Sequence, residues 1–140
     1  MTLYADSSAV LAWLLGEPHG RAVQHLLEDA QMVVASDLTI VECDRTLIRA
    51  RVAGDLSETQ TSKLREGLAR TAAGWHRLRL DRAVLERARH PFPREPLRTL
   101  DALHLASALA VREALLDLAL LSLDRRIRAA GAELGLAVAP

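Results

Sequence analysis

Apolar positions along this chain follow two periods, and the alternation between them predicts an α/β fold. Residues 2–5, 32–35 and 118–123 form short, mostly apolar runs, as is typical of strands buried on both faces. Residues 75–80 alternate in character and predict another strand, and residues 136–138 predict a short edge strand. Between these runs, apolar residues spaced three and four positions apart predict helices.

Polar capping residues indicate where the helices begin. Ser7 or Ser8 is expected to cap the first helix, and Ser36 or Asp37 the third. The Pro-rich segment 91–96 predicts a rigid loop. The predicted helices cover residues 7–15, a segment containing 23–30, and then 37–53, 57–74, 82–89, 100–113 and a last helix that starts at 124.

Strands that alternate with helices indicate a parallel sheet of four to five short strands, covered by helices on both faces. The pattern therefore predicts a three-layer α/β/α architecture, and residues 1–140 are expected to form a single domain because no linker divides them. In open sheets of this kind, functional sites form beyond the carboxyl ends of the strands.

Composition adds few constraints. Lys plus Arg equals Asp plus Glu at 18 each, so net charge gives no general attraction to nucleic acid. Cys43 is the single cysteine, which excludes an internal disulfide and a zinc site built from thiolates. The sequence has no signal peptide pattern and no apolar run long enough to cross a bilayer. We therefore expect a soluble, cytoplasmic protein.

Four acidic residues are candidates for chemistry. Asp6 and Asp124 follow predicted strands, Asp101 opens the most apolar helix, and Glu42 flanks the apolar face of another helix. Carboxylates that converge from separate elements repel one another unless a cation or a proton neutralises them. Their oxygens are the ligands that Mg²⁺ or Mn²⁺ prefers, so convergence of these acids predicts a divalent metal site.

Each acid also has an ordinary structural explanation. Asp6 and Asp124 stand where a helix N-cap is expected. Asp101 lies in a first helical turn, where the helix dipole favours an acid, and Glu42 can pair with polar neighbours on its own helix. What points to function is that Asp6, Asp101 and Asp124 all lie where a strand or a loop leads into a helix.

Four segments resemble those of PIN-domain proteins, in order and spacing over essentially the whole chain, and the small size is similar to that of VapC-type toxins. Each segment alone is a weak signal, whereas the four in order are a strong one. The segments are Leu3-Tyr4-Ala5-Asp6-Ser7-Ser8-Ala9, Thr39-Ile40-Val41-Glu42-Cys43-Asp44-Arg45, Leu100-Asp101-Ala102-Leu103-His104-Leu105-Ala106 and Leu121-Ser122-Leu123-Asp124-Arg125-Arg126.

The resemblance implies a PIN-like fold and a metal-dependent endoribonuclease, the toxin of a toxin–antitoxin pair. It implies that Mg²⁺ or Mn²⁺ is bound by the catalytic acids Asp6, Glu42, Asp101 and Asp124. Ser8 and Ser122 carry over as hydroxyls that orient those acids. The implied partners are an RNA substrate, a cognate VapB-like antitoxin and a second copy of the chain in a homodimer.

Other residues are assigned around this site. His104 is interpreted as a structural or dimer-facing histidine in preference to a catalytic base. Helix 57–74, with Leu64 and Leu68 as its main apolar pair, is expected to form one wall of an antitoxin groove with Trp13 near its floor. The arginines expected near the substrate are Arg45, Arg49, Arg51, Arg125, Arg126 and Arg128.

The sequence leaves two alternative functions. A receiver domain or phosphatase needs a second acid beside the nucleophilic aspartate or a partner lysine, but Asp6 precedes two serines and the single Lys63 is badly placed. A catalytically inactive module that only binds RNA or protein is the second alternative. The presence of all four acids argues against it, and a metal-dependent RNA cleavage assay separates the two.

Overall fold

The computed structural model describes all 140 residues, and its centre is one sheet of five parallel strands. The strands are β1 (Thr2–Ala5), β2 (Met32–Ser36), β3 (His76–Leu78), β4 (Leu118–Leu121) and β5 (Ala137–Ala139). The helices are α1 (Ser7–Leu14), α2 (Gly20–Asp29), α3 (Asp37–Val52), α4 (Glu58–Ala72), α5 (Arg82–Ala88), α6 (Thr99–Ala114) and α7 (Arg125–Glu133). The prediction of a parallel sheet of four to five strands alternating with helices is confirmed.

The strand order is β3-β2-β1-β4-β5, so the first strand of the chain lies at the centre of the sheet. Ala5 at the end of β1 is paired with Leu121 at the end of β4. The backbone N–H of Asp6 continues this ladder by donating to the Leu121 carbonyl at 3.1 Å. Residues that directly follow β1 and β4 therefore emerge side by side at the carboxyl edge of the sheet.

Side chains of β1 alternate between two separate layers of the core. Leu3 faces a layer that includes Val10 from α1 and Cys43 from α3, and α2 and α4 also contribute to it. Tyr4 faces the opposite layer, which includes Leu105 from α6 and to which α5 and α7 contribute. Helices thus cover both faces of the sheet, as its unbroken apolar strands predict.

Two strands are shorter than the sequence predicts. The third strand was expected over residues 75–80, but β3 pairs with β2 alone at the edge of the sheet and only residues 76–78 are in register. The fourth was expected over residues 118–123, but the pairing of β4 with both neighbours stops at Leu121. The chain leaves the sheet there toward α7.

The sequence offers Asp6, Ser7 and Ser8 as candidate caps of α1, and the structure uses the first of them. Asp6, and neither Ser7 nor Ser8, is the N-cap residue, because its carboxylate accepts a hydrogen bond from the backbone N–H of Ala9 at 3.1 Å. Ser36 caps α3 as expected, accepting from the N–H of Leu38. None of the seven helices has the length and apolar character that a bilayer span requires.

Candidate active site

The four predicted acids line one cavity of about 390 Å³ at the carboxyl edge of the sheet. Asp6 comes from the end of β1, Glu42 from α3, Asp101 from the first turn of α6, and Asp124 from the N-cap of α7. Two loops and two helices that are distant in sequence therefore bring these carboxylates together. As they stand, no three of the His, Cys, Asp and Glu side chains are arranged to hold an ion jointly.

Asp6 is the most enclosed of the four acids, with 1% of its surface exposed. Its Oδ1 accepts from the Ser8 hydroxyl at 2.7 Å, and its Oδ2 accepts from the Ser122 hydroxyl at 2.5 Å. Burial raises the pKa of Asp6, and the hydrogen bonds from Ser122 and Ser8 partly oppose that rise because they stabilise the ionised form. The sequence thus supplies a buried carboxylate whose orientation is fixed by two hydroxyls.

The Ser8 hydroxyl also links β1 to the loop after β4. It accepts from the backbone N–H of Leu123 at 2.9 Å and of Asp124 at 3.2 Å, while its own proton goes to Asp6. The Ser122 hydroxyl likewise accepts from the N–H of Asp124, at 3.1 Å. Both serines therefore connect Asp6 with the backbone that carries Asp124.

Glu42 is oriented by a buried polar chain that crosses to the other layer of the core. Its Oε1 lies 2.5 Å from Nε2 of His104, and Nδ1 of His104 lies 2.9 Å from the Tyr4 hydroxyl. Burial raises the pKa of Tyr4, so its hydroxyl keeps its proton. An ionised Glu42 can only accept a hydrogen bond, so Nε2 of His104 carries the proton that it donates. In a neutral imidazole, Nδ1 then accepts a hydrogen bond from the Tyr4 hydroxyl.

This geometry tests whether His104 faces a dimer interface. With 1% of its surface exposed, His104 lies inside the protomer and contacts Tyr4 and Glu42, so the dimer-facing alternative is wrong. Pairing of Glu42 within its own helix is also wrong, because its partner is His104, which is 62 residues away in sequence.

Arg98 is the residue of the site that the sequence analysis missed. Its Nε donates to Asp101 Oδ2 at 3.2 Å, and its Nη2 donates to Asp101 Oδ1 at 3.3 Å and to Asp124 Oδ2 at 3.4 Å. Hydrogen bonding and charge at Asp101 raise the pKa of Arg98, so the guanidinium is fully ionised. Its position three residues before Asp101, one helical turn away, was the available signal.

The sequence model of the PIN domain matches residues 3–133, a span that contains all four acids. This chain belongs to the PIN-domain family. It is also 36% identical to Ribonuclease VapC46 of Mycobacterium tuberculosis over 137 residues, which are 97% of this chain and 95% of that protein.

Two crystal structures share the PIN fold with this chain. VapC20 of Mycobacterium tuberculosis, a sarcin-ricin loop cleaving toxin, matches with a TM-score of 0.65 and 16% identity over 92% of this chain and 95% of that one. PAE2754 from Pyrobaculum aerophilum matches with a TM-score of 0.60 and 21% identity over 99% of this chain and 83% of that one. At these identities the likeness shows the fold alone.

The donor set of this PIN domain is suited to a hard divalent cation. Every acidic group that lines the cavity offers carboxylate oxygen, and the adjoining Ser8 and Ser122 offer hydroxyl oxygen. Cys43 lies next to Glu42 in sequence, but it is buried among apolar side chains. Burial, and then the neighbouring carboxylates, raise the pKa of its thiol to about 12, so it supplies neither a thiolate ligand nor a nucleophile.

The arginines predicted to meet substrate are in different situations. Arg125 and Arg126 are exposed in the first turn of α7, directly after Asp124. Arg128 instead donates to the backbone carbonyls of Ser122, Ala139 and Pro140, so its guanidinium supports the end of the chain. The prediction that Arg128 faces substrate is therefore wrong.

The predicted groove is present only in part. Trp13 lines a cavity of about 350 Å³ together with Trp75 and Thr71, near the end of α4. Leu68, one of the two main apolar residues of this helix, is 2% exposed and packs in the core layer beneath α4. Leu64 stays half-buried.

Proposed function

We propose that this chain is a metal-dependent endoribonuclease that cleaves RNA phosphodiesters and acts as the toxin of a type II toxin–antitoxin system that inhibits translation. The observation that carries the proposal is the meeting of Asp6, Glu42, Asp101 and Asp124 around one cavity at the carboxyl edge of the sheet. Identity of 36% with a VapC ribonuclease over nearly the whole chain supports the same activity. An RNA substrate also suits a cytoplasmic location.

The acids are assigned to a Mg²⁺ or Mn²⁺ site. Asp6 and Asp101 are the principal ligands, and Glu42 and Asp124 complete the site directly or through water. When bound, such a cation lowers the pKa of a coordinated water and neutralises charge on the scissile phosphate. The chain's own contribution is orientation, because Ser8 and Ser122 fix Asp6 and His104 fixes Glu42.

Binding of the RNA backbone is assigned to exposed arginines beside the cavity. Arg125 and Arg126 follow Asp124 directly and make no side-chain hydrogen bond within the chain, so their guanidinium groups are free to contact phosphate. Because the chain carries no net charge, this local basic surface has to supply the attraction for a polyanion.

The test is cleavage of cellular RNA by the purified protein, with the new ends read by sequencing. We expect discrete cuts with Mn²⁺ or Mg²⁺ and none in excess EDTA, and activity should return when the metal is restored. Full activity in EDTA, from protein free of contaminating nuclease, would exclude the metal mechanism. Stable RNA binding without any cleavage would favour the inactive binding module instead.

We also propose a VapB-like antitoxin as partner and a homodimer as the assembly. An arginine on the antitoxin could pair bidentately with the carboxylates of the cavity, and an apolar segment could occupy the cavity beside Trp13. Co-expression with the small open reading frame beside the gene should give a stable complex with suppressed nuclease activity.

The matched variants for this complex are Trp13→Ala and Leu64→Glu, which should weaken it while cleavage by the free protein persists. Size-exclusion chromatography with light scattering measures both the complex and the dimer. If no adjacent product binds, and the protein cleaves RNA but is harmless to its host, the toxin assignment falls and the nuclease assignment survives. A monomer at all concentrations would contradict the homodimer.

A further inference from the structure

Arg98 is bonded to two of the acids assigned to the metal site. Its guanidinium spans Asp101 and Asp124, with three donor–acceptor distances between 3.2 and 3.4 Å. Those two carboxylates lie at the starts of different helices, so a single guanidinium offsets part of the negative charge on the side of the cavity between α6 and α7. Neither Asp6 nor Glu42 has a cationic guanidinium partner among its hydrogen bonds.

We propose that Arg98 competes with the divalent cation for Asp101 and Asp124 and leaves these carboxylates when the cation binds. The inference rests on the proposed function, because it takes these acids as metal ligands. It adds a resident competitor, supplied by the chain itself, that lowers the affinity of the site for metal.

Three observations support displacement in preference to a permanent link. The Arg98 side chain is 64% exposed, so it can turn into solvent without opening the core. Its hydrogen bonds are at the long end of the usual range, which indicates weak individual contacts. Only one hydrogen bond joins the guanidinium to Asp124, so the link between the two carboxylates depends on a single contact.

The backbone around Arg98 does not depend on the guanidinium. The Arg98 N–H donates to Asp101 Oδ2 at 3.2 Å, and the Arg98 carbonyl accepts from the N–H of Ala102. These backbone contacts define the start of α6 and can form with any side chain at position 98. Substitution of the side chain should therefore leave the helix and the position of Asp101 unchanged.

The experiment measures the affinity of Mn²⁺ by isothermal titration calorimetry, so the result does not depend on cleavage. We expect Arg98→Ala to bind Mn²⁺ roughly threefold to fivefold more tightly than wild type. The gain is small because an exposed ion pair contributes little free energy. Arg98→Lys keeps the charge but loses the planar fork, and should fall between the two.

Arg126→Ala is the control for charge alone. Arg126 is exposed in the first turn of α7 and its guanidinium bonds to none of the acids, so its removal should change Mn²⁺ affinity less than Arg98→Ala does. An independent readout is the Arg98 Nε–H signal in NMR spectra, which should shift toward that of a solvated arginine on titration with Mg²⁺.

The outcomes separate the two claims. If Arg98→Ala binds Mn²⁺ no more tightly than wild type or Arg126→Ala, while wild type still needs Mn²⁺ to cleave RNA, the competition is wrong and the nuclease assignment stands. If neither wild type nor Arg98→Ala binds Mn²⁺ at all, the metal site and the competition fall together.

Discussion

Asp6 and Glu42 have buried or partly buried side chains as partners, whereas the side-chain partner that Asp101 and Asp124 share is Arg98, which is largely exposed. We call Asp6 and Glu42 the first pair and Asp101 and Asp124 the second pair. The side-chain partners of the first pair are hydroxyls and an imidazole, while the side-chain partner of the second pair is a guanidinium cation. Backbone N–H groups at the start of α6 and α7 also donate to the second pair.

The difference separates fixed geometry from adjustable geometry within one cavity. Ser8, Ser122 and His104 cannot leave the first pair without exposing or emptying part of the core, since each is wholly or partly buried. Arg98 can leave the second pair by turning into water. Under the two proposals above, the first pair is arranged before any ion binds, whereas Asp101 and Asp124 become available to the ion only when Arg98 leaves them.

The largest expected effect comes from removing an acid of the second pair. Asp101→Asn should reduce RNA cleavage by at least about a hundredfold, because losing about 3 kcal/mol of transition-state stabilisation corresponds to that factor. The fold should remain, since an amide oxygen at position 101 can still accept from the backbone N–H of Arg98 and like-charge repulsion falls. Cleavage rates and circular dichroism measure the two properties. Wild-type cleavage by a folded variant would show that the adjustable pair is dispensable.

A smaller loss is expected when the support of the first pair is cut. In His104→Asn the asparagine side chain is too short to reach Glu42, but it can still contact the Tyr4 hydroxyl. We expect this variant to lower Mn²⁺ affinity or the cleavage rate roughly 10- to 100-fold, because loss of a supporting hydrogen bond has that effect at metal sites. Tyr4→Phe keeps the contact between His104 and Glu42, so its loss should be below about tenfold. Equal effects of the two variants would contradict a role exerted through Glu42.

The smallest effect concerns the free energy of unfolding, and it should differ between the two pairs. Because burial raises the pKa of Asp6, the folded state is favoured while Asp6 is protonated, and this contribution is lost as pH rises through its folded pKa. In EDTA at neutral pH, Asp6→Asn should therefore be more stable than wild type by more than about 0.5 kcal/mol, the usual scatter of surface substitutions.

The matched variant is Asp124→Asn, which keeps the N-cap of α7 and loses the Arg98 pair, so the free energy of unfolding should stay the same or fall slightly. Denaturant titrations at several pH values test both. The gain in Asp6→Asn should shrink toward about pH 4, where the unfolded carboxyl becomes protonated. A gain that does not vary with pH would show that the charge of Asp6 is not its cause.

The sheet, its parallel strands and the edge where the acids meet could be predicted because they depend on local periods and on the rule for carboxyl ends of strands. The contacts of the acids could not be predicted from these local patterns, and the family resemblance alone implied Ser8 and Ser122 as their partners. His104 reaches Glu42 from 62 residues away, and Ser122 reaches Asp6 from 116 residues away, so only the folded core brings them together. Arg98 was within one helical turn of Asp101, but an exposed arginine has no sequence pattern that separates pairing from solvation.

The most direct test of the central claim is the position of Mn²⁺ in crystals of the protein, located by anomalous scattering. The account predicts a peak in the cavity bonded to oxygens of Asp6 and Asp101, with the hydroxyls of Ser8 and Ser122 still on Asp6 and the Arg98 guanidinium turned away from Asp124. The account would be contradicted if Mn²⁺ were bound elsewhere on the chain in a protein that cleaves RNA. In that case Arg98 would still be bonded to Asp101 and Asp124, and His104 to Glu42.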